Sequence, residues 1–368
     1  MSLDLTHIRR TLHQIPELGF ELPLTSATLK SILESLGYTP ILIAKSGWLV
    51  IIPGISDDIL MFRSDMDGLP LLEKNIHDYR STNQNMHACG HDGHMSMLLG
   101  FADKIQGQTF QQTLVLLFQP AEESPGGAKV VLEELPFELK RVKGCFGLHL
   151  FPQLPLHQLG SKPYGFMATN GEIDITIHGQ SAHAGLPHQG KDAVVIASSL
   201  MMSMQSILSR NTNPLESKVI NIGVLKAGEV RNSVADTALL QGTLRAFSQQ
   251  GYQALKDNLH RMIQAYEVMH DVRIDCVIRD GYPVVYNDPV LYTQAKDVFK
   301  DQLSEIDGVM LAEDFGFYTE VMPSLFLFLG TGNSHTSLHS PTFDFDEVVL
   351  ETGVNAYLSL LESFQSKP

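Results

Sequence analysis

Short apolar runs without polar alternation punctuate this chain: Trp48–Ile52, Ile59–Phe62, Leu114–Phe118, Cys145–Leu150 and Leu325–Gly330. A strand with one solvated face alternates in period two, whereas a strand covered on both faces reads as continuously apolar. Runs of this kind imply a mostly parallel sheet flanked by helices. The intervening segments supply them. Thr25–Gly37 places Leu29, Ile32, Leu33 and Leu36 on one helical face, with Thr25 or Ser26 able to cap its start and Gly37 to end it. Met95–Ala102 reads as a further apolar helix, capped by Asp92 or Gly93.

The character changes near Thr169. Glu172–His178 alternates in period two, as does much of Leu239–Phe247, and helix-like stretches follow at Asp192–Arg210 and Gln250–His270. With Lys218–Lys226 and Val272–Ile278, the order is β-α-β-β-α-β, that of a ferredoxin-like α+β sandwich. Gly281–Pro283 marks the return to the first style. At 368 residues the chain exceeds one ordinary compact domain. The expected organisation is therefore a discontinuous α/β domain, 1–168 and 282–368, with a smaller α+β domain inserted at 169–281.

Composition removes several function classes. Lys and Arg number 26 against 41 for Asp and Glu, a formal charge of -15. Nucleic acid and anionic membrane surfaces are held mainly by Lys and Arg, so neither is an expected partner. The run MSLDLTHIRR has no apolar core of a signal peptide, and no apolar run approaches the ~18 residues of a membrane span. Cys89, Cys145 and Cys276 are too scattered for a disulfide framework, which fits a reducing cytoplasm.

Four polar clusters each follow a strand-like run: Arg63-Ser-Asp65-Met-Asp67, Gln119-Pro-Ala-Glu122-Glu123, His149, and the loop from His335 to His339. In open parallel sheets, ligands bind outside the carboxyl ends of the strands. The densest group, His87-Ala-Cys89-Gly-His91-Asp92-Gly-His94, offers a thiol, imidazoles and a carboxylate. In an extended loop Cys89 and His91 would face the same way and grip one cation. Of the adjacent carboxylates Glu122 and Glu123, one can bind metal while the other moves a proton to or from water. Asp65 and Asp67 suit a ligand role or one orienting a liganding histidine. His77, His157, His178, His260 and His270 have no partners nearby in sequence and read as surface or satisfied histidines, and Cys145 and Cys276 as core.

The runs RRTLHQIPELGF, FRSDMDGLP, MHACGHDGHM, FQPAEESPGGA, GLHL, HAGLPH and LHSPTFDFDE resemble the M20 metallopeptidase family, within its aminoacylase-like branch of amidohydrolases, in collinear order over nearly the whole chain. The resemblance implies a zinc-peptidase-like α/β fold with an inserted lid and dimerisation domain, hence a homodimer. It implies one or two divalent ions per subunit (Zn, Mn, Co or Ni), with Cys89, His91, Glu123, His149 and His339 as ligands. Glu122 is the implied base, Asp65 or Asp67 the supporting acid, and His183 a candidate donor to the oxyanion. Arg245 and Asn232 are candidate partners of a substrate carboxylate. The implied reaction is hydrolysis of the acyl–nitrogen bond of an N-acyl amino acid, an acetylated diaminopimelate first and a hippurate- or aminoacylase-like substrate as the alternative.

Overall fold

The computed structural model describes residues 3–332 and 336–365. The chain forms two compact units: Met1–Phe166 with Val285–Asp307 and Glu313–Pro368, and Met167–Val284 with Gly308–Ala312. The short segment Gly308–Ala312 lies within the span that the sequence assigns to the larger domain. It groups with the smaller unit because Met167 pairs with Val309 in a parallel bridge and Ala168 N–H donates to the Leu311 carbonyl at 2.9 Å.

The larger unit is built on an eight-stranded sheet in the order Ile41–Ile43, Gly47–Ile52, Thr113–Gln119, Ile59–Asp65, Val142–Phe151, Ser324–Gly330, Leu159–Ser161 and Leu303–Glu305. From Thr113–Gln119 to Ser324–Gly330 all neighbours are parallel, while antiparallel pairings lie on either side. Every residue of Ile59–Asp65, Thr113–Gln119 and Ser324–Gly330 is buried, which is why their sequences show no alternation. Helices Pro23–Ser35, His91–Ile105 and Val349–Phe364 contribute leucines, valines and aromatic rings to the same core as the strands.

Two helix starts differ from the sequence reading. Helix Pro23–Ser35 begins at a proline, and its open N–H groups on Leu24 and Thr25 are taken by the Glu17 carboxylate at 3.0 and 2.9 Å, not by Thr25 or Ser26. Helix His91–Ile105 starts four residues before the expected Met95, with Gly90 at its N-cap (φ +86°), a left-handed conformation that glycine adopts without cost. His91, Asp92 and His94 are thereby fixed in a helical first turn instead of an extended loop.

In the smaller unit the antiparallel sheet runs Lys218–Ala227, Thr237–Ala246, Thr169–His178, Arg273–Asp280. Ile173, Ile175 and Ile177 alternate into its core, where Leu200 of helix Ala193–Arg210 and Leu255 of helix Gln249–His270 also lie. Ala193–Arg210 is a helix long and apolar enough to cross a membrane by length and composition alone, although its serines break up any continuous apolar run. It buries Ile196, Ala197, Leu200, Met204 and Ile207 in this core.

Candidate metal centre

The polar clusters converge because the central strands are parallel. Asp65 and Gln119 end their strands, His149 lies near the end of Val142–Phe151, and His339 follows Ser324–Gly330. All these ends lie on one edge of the sheet. His335 falls outside the described residues.

Cys89, His91 and His149 bring their ligand atoms within 4.8 Å of one another, as do Cys89, Glu123 and His339, and again His91, Glu122 and Glu123. Cys89 Sγ is 3.4 Å from His149 Nε2, and His339 Nε2 is 3.2 Å from Glu123 Oε1. His91 Nε2 lies 3.8 Å from Glu122 Oε2 and 3.9 Å from Glu123 Oε1. The hydrogen bonds on the far side of the rings assign the tautomers. His91 Nδ1–H donates to the Asp67 carbonyl at 2.8 Å, and His149 Nδ1–H donates to the Leu150 carbonyl at 2.7 Å. Both Nε2 lone pairs therefore face the cluster. His91 Nε2 and Glu123 Oε1 are buried without a hydrogen bond. Thiol, imidazole lone pairs and carboxylates converging with such atoms form a donor set that fits a divalent cation.

The two aspartates divide their work. Asp65 Oδ1 accepts from His94 Nδ1 at 2.7 Å and Oδ2 from Arg63 at 2.8 Å, so both oxygens are engaged. His94 Nε2 in turn accepts the Leu150 N–H at 2.9 Å, next to His149. The Asp67 carboxylate instead accepts the backbone N–H groups of Glu122 and Glu123, at 3.0 and 3.1 Å. It holds the turn that presents the glutamate pair.

Electrostatics of the centre call for positive charge. Burial works to lower the His91 pKa, but Asp65, Asp67 and Glu123 raise it to about 10. Burial alone would raise the Asp65 carboxyl, yet His91, His94 and Arg63 hold it well below the usual range. Glu122 is pushed well above the usual range by burial, Glu313 and Glu123. Burial and the nearby Glu123 and Glu122 also push the Cys89 thiol well up, so its thiolate needs a cation beside it.

A buried network underlies the site that the sequence reading did not assign. Arg63 donates to Gln119 Oε1 (2.9 Å), Asp65 (2.8 Å) and Asp314 (2.8 Å), and lies 3.1 Å from Glu313. Gln119 Nε2 donates to Asp314, and Tyr318 O–H donates to Gln119 Oε1 at 2.8 Å. Period-two spacing does put Arg63 on the same face as Asp65, a usable signal. Glu313 and Asp314 stand in a segment of no clear periodicity and gave none.

The remaining candidates belong to the smaller unit. His183 pairs in register with Ser233, and its Nδ1 accepts the Gly185 N–H at 3.0 Å. Asn232 accepts the Ala184 N–H at 3.1 Å through its carbonyl, and both residues are exposed. Arg245 is partly buried and donates to the Met310 carbonyl.

A profile of "Peptidase family M20/M25/M40" matches residues 61–363. The chain belongs to this family. It is 37% identical to an N-acetyldiaminopimelate deacetylase of Oceanobacillus iheyensis, covering 99% of this chain and 100% of that one. It is 35% identical to an N-acetyldiaminopimelate deacetylase of Brevibacillus brevis, covering 95% of each. Among solved structures, a Bacillus subtilis protein described as a dinuclear metal-binding peptidase of the M20 family superposes with a TM-score of 0.86 at 28% identity, covering 97% of this chain and 96% of that one.

Proposed function

We propose that this chain is a metal-dependent amidohydrolase that releases acetate from N-acetyl-L,L-2,6-diaminopimelate, in the acetylated route to lysine. The observation that carries the chemistry is the convergence of Cys89, His91, Glu123, His149 and His339 donor atoms beside the Glu122 carboxylate. The deacetylase relatives, matched over almost their full length, support the substrate.

Cys89, His91, Glu123, His149 and His339 would hold the divalent ion or ions. A cation held there supplies Lewis acidity, acidifying water and polarising the scissile carbonyl. Glu122 takes the proton from water as its oxygen bonds to the carbonyl carbon. It then passes that proton to the departing nitrogen as the carbon–nitrogen bond breaks. Burial with Glu313 and Glu123 nearby raises the Glu122 carboxyl, which makes its ionised form a stronger acceptor for the proton of water. Asp67 fixes Glu122 through the backbone and His91 through its own carbonyl, while Asp65 orients His94 behind His149. His183 is assigned as donor to the developing oxyanion, and Arg245 and Asn232 to the substrate carboxylate. Zinc suits the thiolate and imidazoles best.

The smaller unit is assigned as lid and dimerisation element. Exposed Val194, Val195 and Met202 on helix Ala193–Arg210 support a homodimer, which the solution mass would test. The substrate is tested by comparing kcat/KM of the metal-loaded protein for N-acetyldiaminopimelate, N-acetylmethionine and hippurate. Equal or better turnover of the other two would leave the reading as an N-acyl-amino-acid amidohydrolase of different specificity.

A further inference from the structure

A separate set of donor atoms gathers in the larger unit. His77, an isolated histidine in the sequence, lies beside His13 of helix Leu5–His13 and Glu73. His13 Nε2 and His77 Nε2 are each 3.2 Å from the same oxygen, Glu73 Oε1. All three ligand atoms fall within 4.8 Å of one another. Donors about 2.0–2.2 Å from a tetrahedral cation are roughly 3.4 Å apart, so the spacing needs little adjustment.

The groups behind these ligands have the arrangement that a metal-binding histidine requires. His13 Nδ1 is 2.7 Å from Asp92 Oδ2, and Arg9 Nε donates to the same oxygen at 2.8 Å. With its Nδ1–H committed to a buried carboxylate, His13 presents Nε2 toward Glu73, and the carboxylate raises its strength as a donor. Glu73 is held by the Ser81 N–H on Oε2 and by Asn75 on Oε1. His77 is stacked on Tyr79, with ring centroids 3.8 Å apart and planes 11° from parallel. Asp344 Oδ2, held by the Tyr79 hydroxyl at 3.0 Å, lies 3.9 Å from His77 Nε2 and can serve as a fourth donor.

An ordinary ion network accounts for part of this cluster. A protonated His13 can donate to both Asp92 and Glu73, and Arg9 pairs with Asp92 and Asp344. His77 lies within ion-pair reach of Glu73 and Asp344 but completes no hydrogen bond with either. Both ring nitrogens of His77 are buried atoms with no hydrogen bond, a costly state for an imidazole. The side chain as a whole is 18% exposed, so the cluster lies close to the surface.

We propose that His13, Glu73 and His77, completed by Asp344, form an additional divalent-cation site, of the two-imidazole, one-carboxylate type that zinc accepts. It shares no ligand with the Cys89 centre. Occupied, it ties the first helix to the loop carrying Glu73 and His77 and to Asp344, segments far apart in sequence.

The test is equilibrium dialysis of the full chain against Zn²⁺, with bound zinc counted per chain. His77→Phe keeps a ring to stack on Tyr79 and removes both nitrogens. The expected result is one zinc fewer per chain than in the wild type, with kcat on the acetylated substrate within twofold. Where the site still fills at higher zinc, its affinity should be at least tenfold weaker. Equal counts and equal affinities in the two proteins would overturn the proposal. Asp344→Asn gives an independent reading, a weakening of the same zinc. Because the readout is a zinc count, absence of deacetylase activity would strike the functional assignment and leave this comparison intact.

Discussion

The carboxylate of Asp67 accepts the backbone N–H of Glu122 at 3.0 Å, and that of Glu123 at 3.1 Å. One buried side chain thus sets the turn for both members of the acidic pair, while the Asp67 carbonyl orients His91. Asp67→Ala removes the acceptor and leaves buried N–H groups open. The expected result is a folded protein with kcat/KM or metal affinity reduced about 10–100-fold. Steady-state kinetics with metal analysis of the same preparation would check it.

Glu122→Gln separates proton transfer from metal binding. The amide fits the same space and cannot accept a proton from water. Loss of general acid–base catalysis predicts a kcat lower by about 10²–10⁴-fold with unchanged metal content. A variant with wild-type kcat would remove Glu122 as the base.

Arg63 carries a stability prediction. It is the cation facing Asp65, Glu313 and Asp314 in a fully buried cluster. Arg63→Met takes the cation away from Glu313 and Asp314 and one of three cationic partners from Asp65, and breaking a buried pair in this way typically costs about 3–5 kcal/mol. Chemical denaturation should show the loss. Glu313→Gln removes a carboxyl that burial, against the pull of Arg63, already raises to about 8, so it should cost clearly less.

Most of the centre was legible because parallel strands put their polar ends on one edge, and each end is contiguous in sequence. Glu122, Glu123 and His149 could be proposed that way, whereas Cys89 and His91, which sit at a helix start, stood out by their spacing. The mode of presentation was not legible. Cys89 and His91 converge across a helix start at Gly90, not along an extended loop, and a left-handed glycine is not apparent from the letters HACGHDGH. Interactions across long separations were also hidden. Glu17 caps helix Pro23–Ser35 from outside it, and Asp92 turns to Arg9 and His13 far earlier in the chain instead of capping its own helix. His77 acquires His13 as a neighbour only through the fold.

The role assigned to His183 gives the last prediction. Its ring is exposed in the smaller unit, with Nδ1 accepting the Gly185 N–H, so the proton sits on Nε2 and that atom is the available donor. A donor to an oxyanion strengthens its hydrogen bond as negative charge develops, so its removal acts on kcat and not on ground-state binding. His183→Ala should lower kcat by about 10²–10³-fold, near 3–4 kcal/mol of transition-state stabilisation. KM, metal content and thermal stability should stay close to wild type, since the side chain is exposed. His183→Gln, which also carries an N–H donor, should recover part of the loss. A change confined to KM would place His183 in substrate binding instead of at the oxyanion.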